Sequence, residues 1–268
     1  MSAPAPGTFE RWAWELVHAR ELATKLAPSD PRRTASWERG APARRPAAPG
    51  RPPELRVVAR AAKRPGAGAL RTPAGRARLA HLCLHHELQA AELFAWALLA
   101  FPDAPRAFRR GLVALALEEA RHARAYAAHV ERLGFAVGDF GVRDWLWQRV
   151  TGAATPVEFT ALLGLGFEGG NLEHARDFAA RFRAAGDEAL ARTAERVGRE
   201  EVRHVRFARR WYERWRGGLE FERWRADLPP PLTPSVLRGR ALARPARRAA
   251  GLDEEFLEAL EAWPPSGS

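Results

Sequence analysis

Two stretches decide the fold: Glu118-Glu119-Ala120-Arg121-His122 and Glu200-Glu201-Val202-Arg203-His204. Each contains Glu-x-x-His, and the two copies lie 82 residues apart. A lone glutamate precedes each at nearly the same distance. Glu87 stands 32 residues before Glu119, and Glu168 stands 33 residues before Glu201. On a helix, residues i and i+3 share a face, so each Glu-x-x-His offers a carboxylate and an imidazole to one point. Four helices supplying Glu, Glu-x-x-His, Glu and Glu-x-x-His make a two-metal carboxylate site in a bundle core.

The turns support this register. In an antiparallel helix hairpin, level residues are equidistant from the turn. The midpoint between Glu87 and the first pair falls at about 104, on Pro102-Asp103-Ala104-Pro105. The midpoint between Glu168 and the second pair falls at about 185, on Ala185-Gly186-Asp187. The competing carboxylates Glu92 and Glu173 miss these turns by two or three residues. They also lie about 140° around the helix from Glu87 and Glu168. Glu87 and Glu168 are therefore the expected ligands, with Glu92 and Glu173 behind them or on the surface.

A single Glu-x-x-His in an arginine- and glutamate-rich helix is ordinarily a solvated face. Two copies, each with a matching upstream glutamate and a turn at the midpoint, select the metal reading. Both tetrads are preceded by a further glutamate, so Glu118 and Glu200 could also face inward at i, i+4.

The 268 residues suffice for one full core with extensions. No run of about 18 apolar residues occurs, so no transmembrane helix and no membrane partner are expected. Met1 to Arg20 lacks a basic segment followed by an apolar one, so no secretory signal is read there. The single cysteine precludes an intrachain disulfide and fits a cytoplasmic location. The net charge of +11 would ordinarily suggest nucleic acid or phospholipid. However, the only lysines are Lys25 and Lys63, isoleucine is absent, and Asn171 is the sole asparagine. A GC-rich coding sequence imposes that pattern, so much of the arginine reads as solvated surface, and RNA is a possible but not a favoured partner.

Along the chain, residues 8–26 read as a helix capped by Thr8, and residues 28–56 as a Pro/Arg-rich strap. Thr72-Pro73 opens a first long helix to about Phe101. A second follows Asp103 and stops at Gly134. A connection of about 20 residues holds a short helix at Asp144–Trp147 and can cross the bundle. Thr155-Pro156-Val157-Glu158 is a capping box opening a third helix, which ends before Gly186. The fourth starts at Asp187 and ends before Gly217-Gly218. The expected fold is all-α: an antiparallel four-helix bundle over 72–216 with a long crossover. Helical and irregular extensions, 1–71 and 217–268, cover it. The expected inward face near His204 includes Val197, Val205, Ala208 and Trp211.

At these residues the chain resembles a widespread bacterial family of ferritin-like proteins of unknown function. The likeness rests on His86-Glu87-Leu88-Gln89-Ala90-Ala91-Glu92-Leu93, Glu118 to His122, Glu168-Gly169-Gly170-Asn171-Leu172 and Glu200 to His204. It implies a ferritin-like bundle with Glu87, Glu119, His122, Glu168, Glu201 and His204 as metal ligands. It implies no particular reaction. A more distant similarity, in the ligand pattern alone, is to di-iron tRNA hydroxylases.

Carboxylate and imidazole donors suit two iron ions, or manganese or a mixed pair, with O2 as co-substrate. The leading expectation is a di-iron oxidase or oxygenase acting on a small organic substrate. The alternatives are metal storage, detoxification or peroxide removal, and a tRNA-modifying hydroxylase. With no Cys-x-x-Cys pair, an oxygenase would need an external electron donor. Oligomerisation is compatible with each. Tyr126, seven residues past Glu119, is a weak candidate for a relay and more readily a core residue. Cys83 reads as a small buried apolar residue, and His129 lies too far along its helix to reach the metals. His85, His86 and His174 read as outer partners or surface residues.

Overall fold

The computed structural model describes residues 2–60 and 64–264. Residues 1, 61–63 (with Lys63) and 265–268 fall in the expected extensions and lie outside the described residues. Among the described residues every regular element is helical, and strand-like pairing is limited to two isolated bridges, Thr8–Ser36 and Val57–Val142. No helix is long and apolar enough to cross a membrane. The chain divides into two compact units, Met1–Thr151 and Gly152–Ser268, each built on one helical hairpin.

In the first unit, α1 (Phe9–His18) is capped by the Thr8 hydroxyl, which accepts from the Arg11 N–H. The helix expected over 8–26 is interrupted. Ala19 turns extended, and α2 (Leu22–Leu26) resumes after it. Lys25 explains the break: its Nζ donates to the carbonyls of Leu16 at 3.0 Å and Val17 at 3.2 Å. An ammonium folded back this way satisfies carbonyls that the end of α1 leaves open. α3 (Pro73–Ala100) starts as expected, with the Thr72 hydroxyl accepting from Gly75 N–H and proline at its first position. It packs along α4 (Arg106–Arg132), and α1 lies against α3. From Cys83 to Ala100, α3 is buried on every face except at His86. α5 (Trp145–Val150) also packs on α3.

The loop between α4 and α5 is pinned by His81, whose Nε2 accepts from Gly138 N–H at 2.9 Å. That bond needs a neutral ring. Burial and the neighbouring His85 depress the His81 pKa to about 4. At pH above the ordinary histidine value both folded and unfolded chains carry a neutral ring. As pH falls through 6.5 toward 4 the unfolded chain takes the proton first, so stability is lost across that window. The expected loss in metal-free protein is about 2–3 kcal/mol. His81→Gln, which keeps an acceptor but cannot titrate, should flatten this part of the curve. Urea unfolding at stepped pH measures both.

In the second unit, the capping box is present: the Thr155 hydroxyl accepts from Glu158 N–H, and the Glu158 carboxylate accepts from Ala154 N–H. The helix it opens is not uniform. One α-turn, α6 (Pro156–Phe159), gives way to a π-helical stretch, Thr160–Phe167, before α7 (Glu168–Ala184). The widened turns coincide with Gly164 and Gly166. A Cβ at Gly164 would lie 2.3 Å from the Ala208 Cβ, so α8 (Glu188–Arg216) approaches closely here. π-Insertions are uncommon and concentrate at functional positions; this one ends at Glu168. The chain leaves α8 through Gly217 (φ +77°) into α9 (Phe221–Ala226), α10 (Arg244–Ala250) and α11 (Glu254–Ala262). Trp224 fastens α9 by donating Nε1–H to Ala161 O at 3.0 Å, and α10 packs on α7 and α8. Tyr212 is buried in the position expected for Trp211, with its hydroxyl donating to Asp227 at 2.7 Å; Trp211 is only half-buried.

Candidate metal centre

Each unit buries one glutamate from its first long helix and a Glu-x-x-His from its second. In the first unit, Glu87 on α3 and Glu119 and His122 on α4 each offer one ligand atom, all within 4.8 Å of one another. In the second, Glu168 on α7 and Glu201 and His204 on α8 do the same within the same limit. The helix spacing performs as expected: His122 Nδ1 lies 3.3 Å from Glu119 Oε2, and His204 Nδ1 lies 2.9 Å from Glu201 Oε2. All six residues are buried, with Glu119 and Glu201 at 0 % exposure. Glu118 is half-buried and ion-paired with Arg121 at 2.8 Å, yet it too offers an oxygen within 4.8 Å of a His122 nitrogen.

Such donor sets can hold a metal. Carboxylate oxygens and imidazole nitrogens match first-row divalent ions. Two carboxylates about 4.8 Å apart repel by roughly 3 kcal/mol at an effective dielectric of 20. A divalent cation reverses the sign of that term.

Of the two expected placements for Glu92 and Glu173, the surface one does not hold. Neither is on the surface: both are buried, and each anchors its own unit's extension. Glu92 Oε1 accepts from Lys25 Nζ and from Arg51 Nη1, both at 2.5 Å. Arg51 also pairs with Asp144 at 2.9 Å. Burial pulls Lys25 down in pKa, and Glu92 opposes that pull. Glu173 takes a two-pronged Arg247 guanidinium, Nε and Nη2 both at 2.8 Å, plus the N–H groups of Gly239 and Ala243. Sequence reading missed Lys25, Arg51 and Arg247. A lysine retained in so arginine-rich a chain was the available signal for Lys25.

The weaker candidates are placed as follows. Tyr126 is buried and hydrogen-bonded to Cys83, and burial together with Glu87 pushes the Cys83 thiol far up in pKa. Cys83 is thus a buried core residue. His85 is buried, with Nε2 lying 3.3 Å from Asp144 and 3.2 Å from the Arg143 carbonyl. His86 is exposed, and half-buried His174 stacks on Phe178. His129 accepts from Arg132 Nε at 3.2 Å.

Fold and site together define an all-helical protein with buried carboxylate–imidazole clusters able to bind metal. The chain belongs to the DUF455 family of proteins of unknown function, whose model matches residues 11–258. No curated protein and no solved structure matches it.

Proposed function

We propose that the triads Glu87–Glu119–His122 and Glu168–Glu201–His204 hold iron or manganese, two ions per chain, as the resemblance to ferritin-like proteins implies. The protein is then an O2-dependent oxidase or oxygenase of an organic substrate. The observation that carries this is the duplication: each hairpin independently buries the same three donors at matching positions. A chance surface pattern has no reason to be buried twice.

Bound metals of this kind would supply the redox chemistry with dioxygen. The chain supplies the rest. Four carboxylates offset the charge of two divalent ions, and the two imidazoles leave the set less anionic than carboxylates alone would. The apolar neighbours of the triads, among them Leu84, Ala91, Leu165 and Leu172, exclude water. Cys83 is the single cysteine, so electrons come from a separate donor or from the substrate.

Protein purified from iron- and manganese-supplemented cells should contain about two metal ions per chain. It should run as a small oligomer and consume O2 with a reductant. A large hollow assembly that takes up many irons per chain would replace this reading with metal storage.

A further inference from the structure

The first unit contains a cavity of about 520 Å³ between the strap, α3 and the loop after α4. That size suits a small molecule. Five arginines line it: Arg56, Arg60, Arg64, Arg78 and Arg143. Asp139 is the single carboxylate among the described lining residues, and its Oδ2 already accepts from Ala136 N–H at 2.8 Å. Guanidinium groups gathered around one pocket make it attractive to an anion.

The walls are built, not incidental. Arg56 is fixed by donating to the carbonyls of Gly138 at 3.0 Å and Asp139 at 2.8 Å. The strap is pinned to the loop by Val58 N–H to Val142 O at 2.9 Å and Val142 N–H to Arg56 O at 3.0 Å. Gly138 permits this approach, because a Cβ there would lie 2.0 Å from the Glu54 carbonyl. The floor is polar and buried. Gln89 is held by accepting from Trp147 N–H at 3.1 Å, and His85, 1 % exposed, has an Nδ1 with no hydrogen-bond partner. The half-buried rings of Phe140 and Trp145 add apolar, planar surface.

We propose that this cavity binds a small organic anion: a phosphate ester or carboxylate joined to an apolar or planar group. Guanidinium forks recognise either headgroup in two-pronged fashion, and the aromatic walls take the remainder. The arginines ring one half-open pocket that has buried His85 and Gln89 in its lining, instead of forming a stripe, which favours a small molecule over a nucleic acid backbone. No proposed metal ligand lines the cavity, so anion binding and metal binding fail independently.

Calorimetric titration of the full chain with phenyl phosphate, benzoate, inorganic phosphate and phenol tests this. Phenyl phosphate or benzoate should saturate at one per chain, and the tighter of the two assigns the headgroup. Inorganic phosphate should bind at least about tenfold more weakly, and phenol not measurably. Arg60 and Arg143 are exposed, so their removal spares the core. Arg60→Ala with Arg143→Ala should weaken the better probe by about tenfold or more. The same change at exposed Arg196 and Arg199 in the other unit should leave it unchanged. Trp145→Ala should weaken the aromatic probe and spare inorganic phosphate. Absence of saturable binding by either aromatic anion overturns the proposal, as does equal weakening by both arginine pairs. A single-stranded RNA that binds more tightly than either probe and loses affinity with Arg60 and Arg143 would replace the small-molecule reading.

Discussion

Replacing Glu119 or Glu201 with alanine is expected to bring bound metal well below two ions per chain and to abolish the thermal stabilisation that metal gives. Both side chains are fully buried, and each lies within 4.8 Å of a second carboxylate in its own unit. The wild-type chain should therefore be markedly more stable with metal than after chelation. A ligand present at a hundred times its dissociation constant contributes about 2.7 kcal/mol. The variants carry a sign that a purely structural glutamate would not give. Without metal, removing one of two repelling buried carboxylates relieves about 3 kcal/mol of repulsion, set against the cavity left by the lost side chain. Metal-free Glu119→Ala and Glu201→Ala should thus melt no lower than the metal-free parent, while the metal-loaded parent melts well above all of them. Melting curves with and without chelator, paired with metal analysis, read this directly. Unchanged stoichiometry in Glu119→Ala would remove it from the ligand set. Glu118→Ala and Glu200→Ala, tested alongside, settle whether the preceding glutamates also contribute.

Local signals carried the long helices. Thr72-Pro73, the Thr155–Glu158 box, Asp187 and Gly217 each act through their own backbone neighbours, and each forms the cap its sequence implies. The burial of Glu87, Glu119, His122, Glu168, Glu201 and His204 followed from helical periodicity and the turn midpoints. Glu92 shows where such reasoning stops. Its position about 140° from Glu87 implied a different face, and a different face usually means water. α3 is buried on nearly every face, so the side chain still needs partners. Those partners lie 67 and 41 residues away, Lys25 at the end of the helix expected over 8–26 and Arg51 in the strap, and no local pattern in either segment points to α3. The π-helical stretch before Glu168 was hidden for a related reason. Gly164 and Gly166 look like ordinary helix-weakening residues until the approach of Ala208 and Leu237 is known.

Arg247→Met is expected to destabilise the second unit by about 3–5 kcal/mol, the cost of leaving a buried carboxylate without its cation. Glu173 has four hydrogen-bond donors, and Arg247 supplies two of them together with the only charge among the four. The Gly239 and Ala243 N–H groups would remain, but they do not neutralise the charge. A second substitution, Glu173→Met in the Arg247→Met background, removes the stranded charge and should recover most of the loss. The first unit provides the contrast. Glu92 has two cations, so Lys25→Met leaves Arg51 in place and should cost clearly less than Arg247→Met. Denaturant unfolding of these three variants against the parent tests the scheme. Arg247→Met costing under about 1 kcal/mol would mean that solvent reaches Glu173 and that the C-terminal segment is held by apolar packing alone. The expected result would instead make the two buried glutamates, five residues beyond Glu87 and Glu168, the points at which each extension is locked to the helix bearing its metal-site carboxylate.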